Sequence, residues 1–66
     1  MTVQSDLQKA LASAESLKGS YAVFASSTED KAAKTMFQEM SQDMQRHVDS
    51  LSFRLKYLEK NNPIQQ

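Results

Sequence analysis

Sixty-six residues with one glycine, one proline and no cysteine make one small domain at most, with neither disulfides nor thiolate metal sites to brace it. Eight basic residues balance eight acidic ones. That balance argues against a nucleic-acid binder, which carries a basic stripe, and equally against a polybasic membrane anchor.

In chain order, the opening MTVQSDLQKA has no basic segment leading into an apolar run, so no signal peptide is expected. No later stretch is apolar for long enough to span a bilayer, and a cytoplasmic chain is the expectation. Residues from about 3 to 26 predict a first helix. Val3, Leu7, Ala10, Ala14, Leu17, Tyr21 and Phe24 recur at steps of four and three, and Leu11 and Ala25 widen the stripe. Gly19 falls opposite that stripe, where a glycine costs about 1 kcal/mol against alanine.

The polar block Ser26-Ser27-Thr28-Glu29-Asp30 then interrupts the pattern without a glycine or proline. Ser27 with Asp30, or Ser26 with Glu29, has capping-box spacing, and Thr28 is a good N-cap with Glu29 and Asp30 following it in a first turn. A turn at about 26–29 and a second helix over about 29–61 are predicted. Ala33, Phe37, Met40, Met44, Val48, Leu51, Leu55 and Leu58 form its apolar stripe. Two consecutive steps of four, Met40 to Met44 to Val48, depart from a strict heptad. Asn61-Asn62-Pro63 ends the helix, and residues 62–66 read as a tail.

A continuous rod of roughly 85 Å, at about 1.5 Å per residue, would leave the whole stripe in water and the capping signals without a purpose. The fold class expected is therefore all-α, an antiparallel helical hairpin forming one domain. One seam between two helices leaves much of each stripe open. Two hairpins pairing about a two-fold axis into a four-helix bundle close it. The residues assigned to the core and dimer interface are Leu7, Leu11, Ala14, Leu17, Tyr21, Phe24, Phe37, Met40, Met44, Val48, Leu51, Leu55 and Leu58. Ser27, Thr28 and Asp30 are assigned to the turn and cap.

Chemistry is hard to find. Asp43 and His47 lie four apart with Glu39 one turn earlier, but the first helix offers only Asp6 and Glu15, and no Glu-x-x-His occurs. His47 reads as a boundary residue beside Asp43. There is no cysteine nucleophile, phosphate loop or serine in a base-bearing motif. No enzyme activity, cofactor, metal or small-molecule substrate is expected. Met36, Met40 and Met44 read as core filling. Phe53 and Tyr57 stand on the face away from Leu51 and Leu55, either as scattered surface aromatics or as a second contact with a partner. Arg54 at the stripe's edge is either a solvated arginine or the mate of an acid on a partner chain, such as Asp43.

The block FASSTEDKAAKTMF, the opening MTV and the ending VDSLSFRLKYLEKNNP resemble the small domain known as domain of unknown function 1657. The resemblance spans nearly the whole chain. Phe24-Ala25, Thr28, Asp30, Ala33-Lys34 and Phe37 carry its most specific part, followed by Leu51, Arg54, Glu59 and Pro63. The chain departs at its end, with Asn61-Asn62 before the proline and Ile64-Gln65-Gln66 after it, where the family has an acid and then an aromatic. The resemblance implies an endospore-forming bacterium, and a setting near genes for the spore's dipicolinate channel. It also implies relatives that stand alone or are fused to a membrane domain. A role in sporulation, spore resistance or germination follows from it, on the forespore or spore-core side and peripheral to the inner membrane. It supplies no catalytic residues.

The functional expectation is a non-catalytic protein–protein interaction module. Its partners are a second copy of itself and a related domain on a spore membrane protein. The alternative is a membrane-surface or lipid-associated helix pair, which needs basic residues flanking a free apolar face. An RNA-binding bundle is disfavoured by the charge balance.

Overall fold

The computed structural model describes residues 2–61. Two α-helices, α1 (Val3–Ser27) and α2 (Lys31–Asn61), run antiparallel and form a hairpin 51 Å long, 17 Å wide and 12 Å thick. No strand occurs among the described residues. The proposed stop at Pro63 and the tail lie outside them.

Each end of the hairpin has a local chemical cause. Thr2, in an extended conformation, caps α1 by accepting the Ser5 N–H at 3.0 Å on its hydroxyl. At the far end the Thr28 N–H bonds the Phe24 carbonyl, and the Ser27 hydroxyl donates back to the Val23 carbonyl at 3.0 Å. Asp30, not Thr28, caps α2: its carboxylate accepts the Ala33 N–H at 2.7 Å, while its carbonyl accepts the Lys34 N–H. Thr28 instead is extended, closes α1, and accepts the Asp30 N–H on its hydroxyl. The second helix thus begins two residues later than the Thr28 reading gave. A carboxylate at position 30 reaches the third N–H of the new helix, and an extended Thr28 leaves room for the chain to reverse.

The seam is built on alternating steps of three and four. On α1 it holds Leu7, Leu11, Ala14, Lys18, Tyr21 and Ala25; on α2 it holds Phe37, Ser41, Met44, Val48, Leu51, Leu55 and Leu58. Ala14 and Ala25 are the buried members, since a lone methyl lets the opposite helix approach closely. Lys18, Lys34 and Ser41 were passed over by a purely apolar count. The Ser41 hydroxyl donates to the Lys18 carbonyl at 3.2 Å, and the Lys34 ammonium to the Ala25 carbonyl. With Ser41 included, α2 keeps an unbroken heptad through the stretch where the apolar residues alone step by four twice. These bonds also set the register, placing Lys18 level with Ser41 and Ala25 level with Lys34.

Candidate interaction face

The two long sides of the hairpin differ in chemistry. Relative to the seam, Leu17 and Phe24 of α1 and Met36 and Met40 of α2 are rotated by roughly 65–105° in the same sense. In an antiparallel pair, equal senses open to the same broad side. Toward the turn that side is apolar and wet: Leu17 is 45%, Phe24 48% and Met36 50% exposed; toward the open end it carries Asp6, five turns before Phe24, and His47 and Arg54, the latter five turns after Met36. Phe37 ties it to the seam. Its ring centroid lies 5.5 Å from that of Phe24, tilted by 52°, and 6.4 Å from that of Tyr21, stacked at 18°. Ala10 and Val3 extend the face along α1.

The opposite side is polar. Ser26, Lys34, Gln38, Ser41 and Gln42 line a shallow groove of about 510 Å³ floored by Ala22 and Ala25. Lys34 and Ser41 already spend hydrogen bonds on α1 carbonyls there, so this groove belongs to the register of the hairpin.

The residues assigned to core and interface divide between seam and face. Ala14 is buried; Leu7, Leu11, Tyr21, Phe37, Met40, Met44, Val48, Leu51, Leu55 and Leu58 are half-buried; Leu17 and Phe24 are exposed on the apolar face. No residue larger than alanine is buried among the described residues. Gly19 has open space where a Cβ would stand.

Phe53 and Tyr57 lie on the edge of α2 turned away from α1, near the open end. With Lys56, Lys60 and Asn61 they line a second hollow of about 260 Å³. Phe53 is 75% exposed. The Arg54 guanidinium sits 5.0 Å from the Tyr57 ring centroid, a cation–π contact, and Asn61 ties down the Tyr57 carbonyl at 2.8 Å. Asp43 pairs with Arg46 one turn on, within its own chain. Asp43 is the acid named both as a mate for Arg54 on a partner chain and as the neighbour of His47; within the chain its contact is with Arg46. Gln45 and Asp49 are bonded at 2.8 Å on the same helix. Among the described residues no three His, Cys, Asp or Glu side chains gather as metal ligands would.

A two-helix hairpin with an apolar patch near its turn defines the class: a small all-α helical hairpin. The chain belongs to the family described as protein of unknown function (DUF1657), whose pattern it matches over residues 7–55. That span covers the turn, all of the seam but Leu58 and all of the apolar face but Val3, and stops short of Tyr57. No curated protein and no solved structure matches the chain. No helix among the described residues is long and apolar enough to cross a membrane.

Proposed function

We propose that this protein is a non-catalytic helical interaction module that pairs with a second copy through its apolar face, completing a four-helix bundle. The observation that carries the reading is that nothing larger than alanine is buried among the described residues of a lone hairpin. Its accessible surface is 5060 Å², against about 4,200 Å² for a globular monomer of this mass. The difference is close to the roughly 800 Å² that each partner gives to a standard interface. Sedimentation equilibrium at micromolar concentration is the test. A folded species of twice the 7.5 kDa chain mass is expected, and a folded monomer overturns the proposal.

The setting proposed for the module is sporulation, spore resistance or germination. It would lie on the forespore or spore-core side, peripheral to the inner membrane. This rests on the resemblance stated above. A related domain carried by a membrane protein would dock on the same apolar face. Co-purification with such a domain from sporulating cells, lost when Leu17 is replaced by Asp, tests it.

A second reading is favoured by the exposed Phe53 and Tyr57 beside Lys56 and Lys60. Aromatic rings flanked by bases suit an anionic lipid surface. Co-sedimentation with vesicles containing anionic lipid, abolished by Phe53→Ser with Tyr57→Ser, supports that reading; no co-sedimentation removes it.

A further inference from the structure

Two symmetric pairings cover the open side of the hairpin with its copy. A two-fold axis along the hairpin keeps both turns at one end and lays α1 over the second copy's α2. A two-fold axis across it sends the turns to opposite ends and lays α1 over α1 and α2 over α2. We infer that the second copy binds lengthwise, its Arg54 facing Asp6 at the open end and its Met36 facing Phe24 near the turn. The inference rests on the self-pairing proposed above and specifies the geometry of that pair.

Spacing and register carry it. Asp6 and Phe24 lie eighteen residues apart on α1, and Met36 and Arg54 lie eighteen apart on α2. Eighteen residues are five whole turns, so all four point to the same broad side, about 100° from the seam. Lys18 is level with Ser41, and Ala25 with Lys34. Twelve residues from the first of these pairs toward the open end, Asp6 comes level with Phe53, one position from Arg54. One residue from the second pair, Phe24 comes level with Thr35, one position from Met36.

A lengthwise axis preserves these levels, so Asp6 meets Arg54 and Phe24 meets Met36, each contact made twice. The carboxylate gains a guanidinium at the rim, and the ring gains a thioether. Between them Leu17 and Met40 turn toward the middle of the bundle, and the small Ala10 and Ser13 leave room for the copy's His47. At the open end the charges alternate in sign around the bundle, because each Arg54 stands between its own Asp6 and the copy's. Both side chains are exposed, and neither makes an ion pair among the described residues. Arg54 meets only the face of the Tyr57 ring, at 5.0 Å, which leaves its N–H donors open.

The crossed pairing opposes unlike ends of the same face. Overlapped along its full length, it sets Asp6 against Phe24 and Arg54 against Met36. Each charge is then pressed on an apolar side chain with no opposite charge across from it, which costs stability. Shifting the copies toward their turns, so that Leu17 meets Phe24, returns the charges to water. It also leaves the open end of each hairpin uncovered, with Leu7, Leu11, Leu55 and Leu58 still only half-buried.

Charge exchange and cross-linking test the geometry together, with circular dichroism checking that each variant is helical. Asp6→Arg and Arg54→Asp each turn two attractions into two repulsions and should weaken self-pairing by roughly thirtyfold. An equimolar mixture of the two variants restores both contacts and should sediment as a heterodimer. A mixture of Asp6→Arg with Lys56→Asp has the same net charges but restores only one contact, and should associate more weakly. The chain has no cysteine, so a short bis-maleimide applied to mixed single-cysteine variants reports without background. Phe24→Cys with Met36→Cys should give the main heterodimer, and Phe24→Cys with Asp6→Cys little; all three positions are exposed. Equal association of the two charge mixtures overturns the lengthwise geometry, and so does a predominant Phe24→Cys/Asp6→Cys product. A parent chain that sediments as a monomer overturns the self-pairing itself, so the two failures are distinguishable.

Discussion

Replacing Leu17 with Asp tests the apolar face most directly. In a lone hairpin Leu17 is 45% exposed, and a polar residue there belongs to the surface class of substitutions, which shift stability by no more than about 0.5 kcal/mol. In the dimer the remaining exposed part is buried. Full burial of a leucine contributes about 1.5–3 kcal/mol, so the part still open is worth roughly 1 kcal/mol in each copy. Two copies lose about 2 kcal/mol, or roughly thirtyfold in dissociation constant at about 1.4 kcal/mol per decade. Each carboxylate buried at the interface between the two apolar faces adds several kcal/mol more. The expected outcome is a monomer by sedimentation equilibrium at concentrations where the parent chain is dimeric, with helicity that depends less on concentration. Val23→Asp is the control. Val23 is 63% exposed but points away from both the seam and the face, so its change should leave mass and melting unaltered. Equal behaviour of the two variants would refute the reasoning, since it would show the apolar face to be no different from any other surface.

The remaining predictions concern the ends and edges of the hairpin. Asp30→Ala removes the acceptor for the Ala33 N–H and should destabilise the chain by about 1 kcal/mol in urea denaturation. Thr28→Ala loses only the bond from the Asp30 N–H and should cost less. Gly19→Ala meets open space on a helical residue and should stabilise by about 1 kcal/mol, raising the thermal midpoint by several degrees in a chain of this size. Phe53→Ser with Tyr57→Ser should leave sedimentation mass and melting unchanged while abolishing whatever binding the open end supports; loss of the dimer in that variant would place the two rings in the interface instead.

The two helices and the break between them were legible in the residues because their causes are local. An apolar period near 3.6 shows wherever a helix buries one side. A polar block with a carboxylate three residues before an N–H that needs an acceptor marks a start whatever lies beyond. Ser27, Thr28 and Asp30 all have capping chemistry, and the chain uses Asp30 to start the second helix. Only the path of the reversing backbone chooses among them.

Which apolar residues meet across the seam was not legible. Leu17 and Phe24 looked as central as Tyr21 and Ala14, yet the hairpin turns them to the open face and gives seam positions to Lys18 and Ser41. A hydroxyl or ammonium belongs at such a position only when a carbonyl from the other helix stands within reach. For Ser41 and Lys34 those carbonyls belong to Lys18 and Ala25, residues 23 and 9 positions away along the chain. The sequence by itself determined that there would be two amphipathic helices, their approximate ends and the apolar surplus they carry, because each depends on neighbours within a turn or two. The register of one helix against the other, and with it the division of that surplus between a closed seam and an open face, was decided only when the two helices lay side by side.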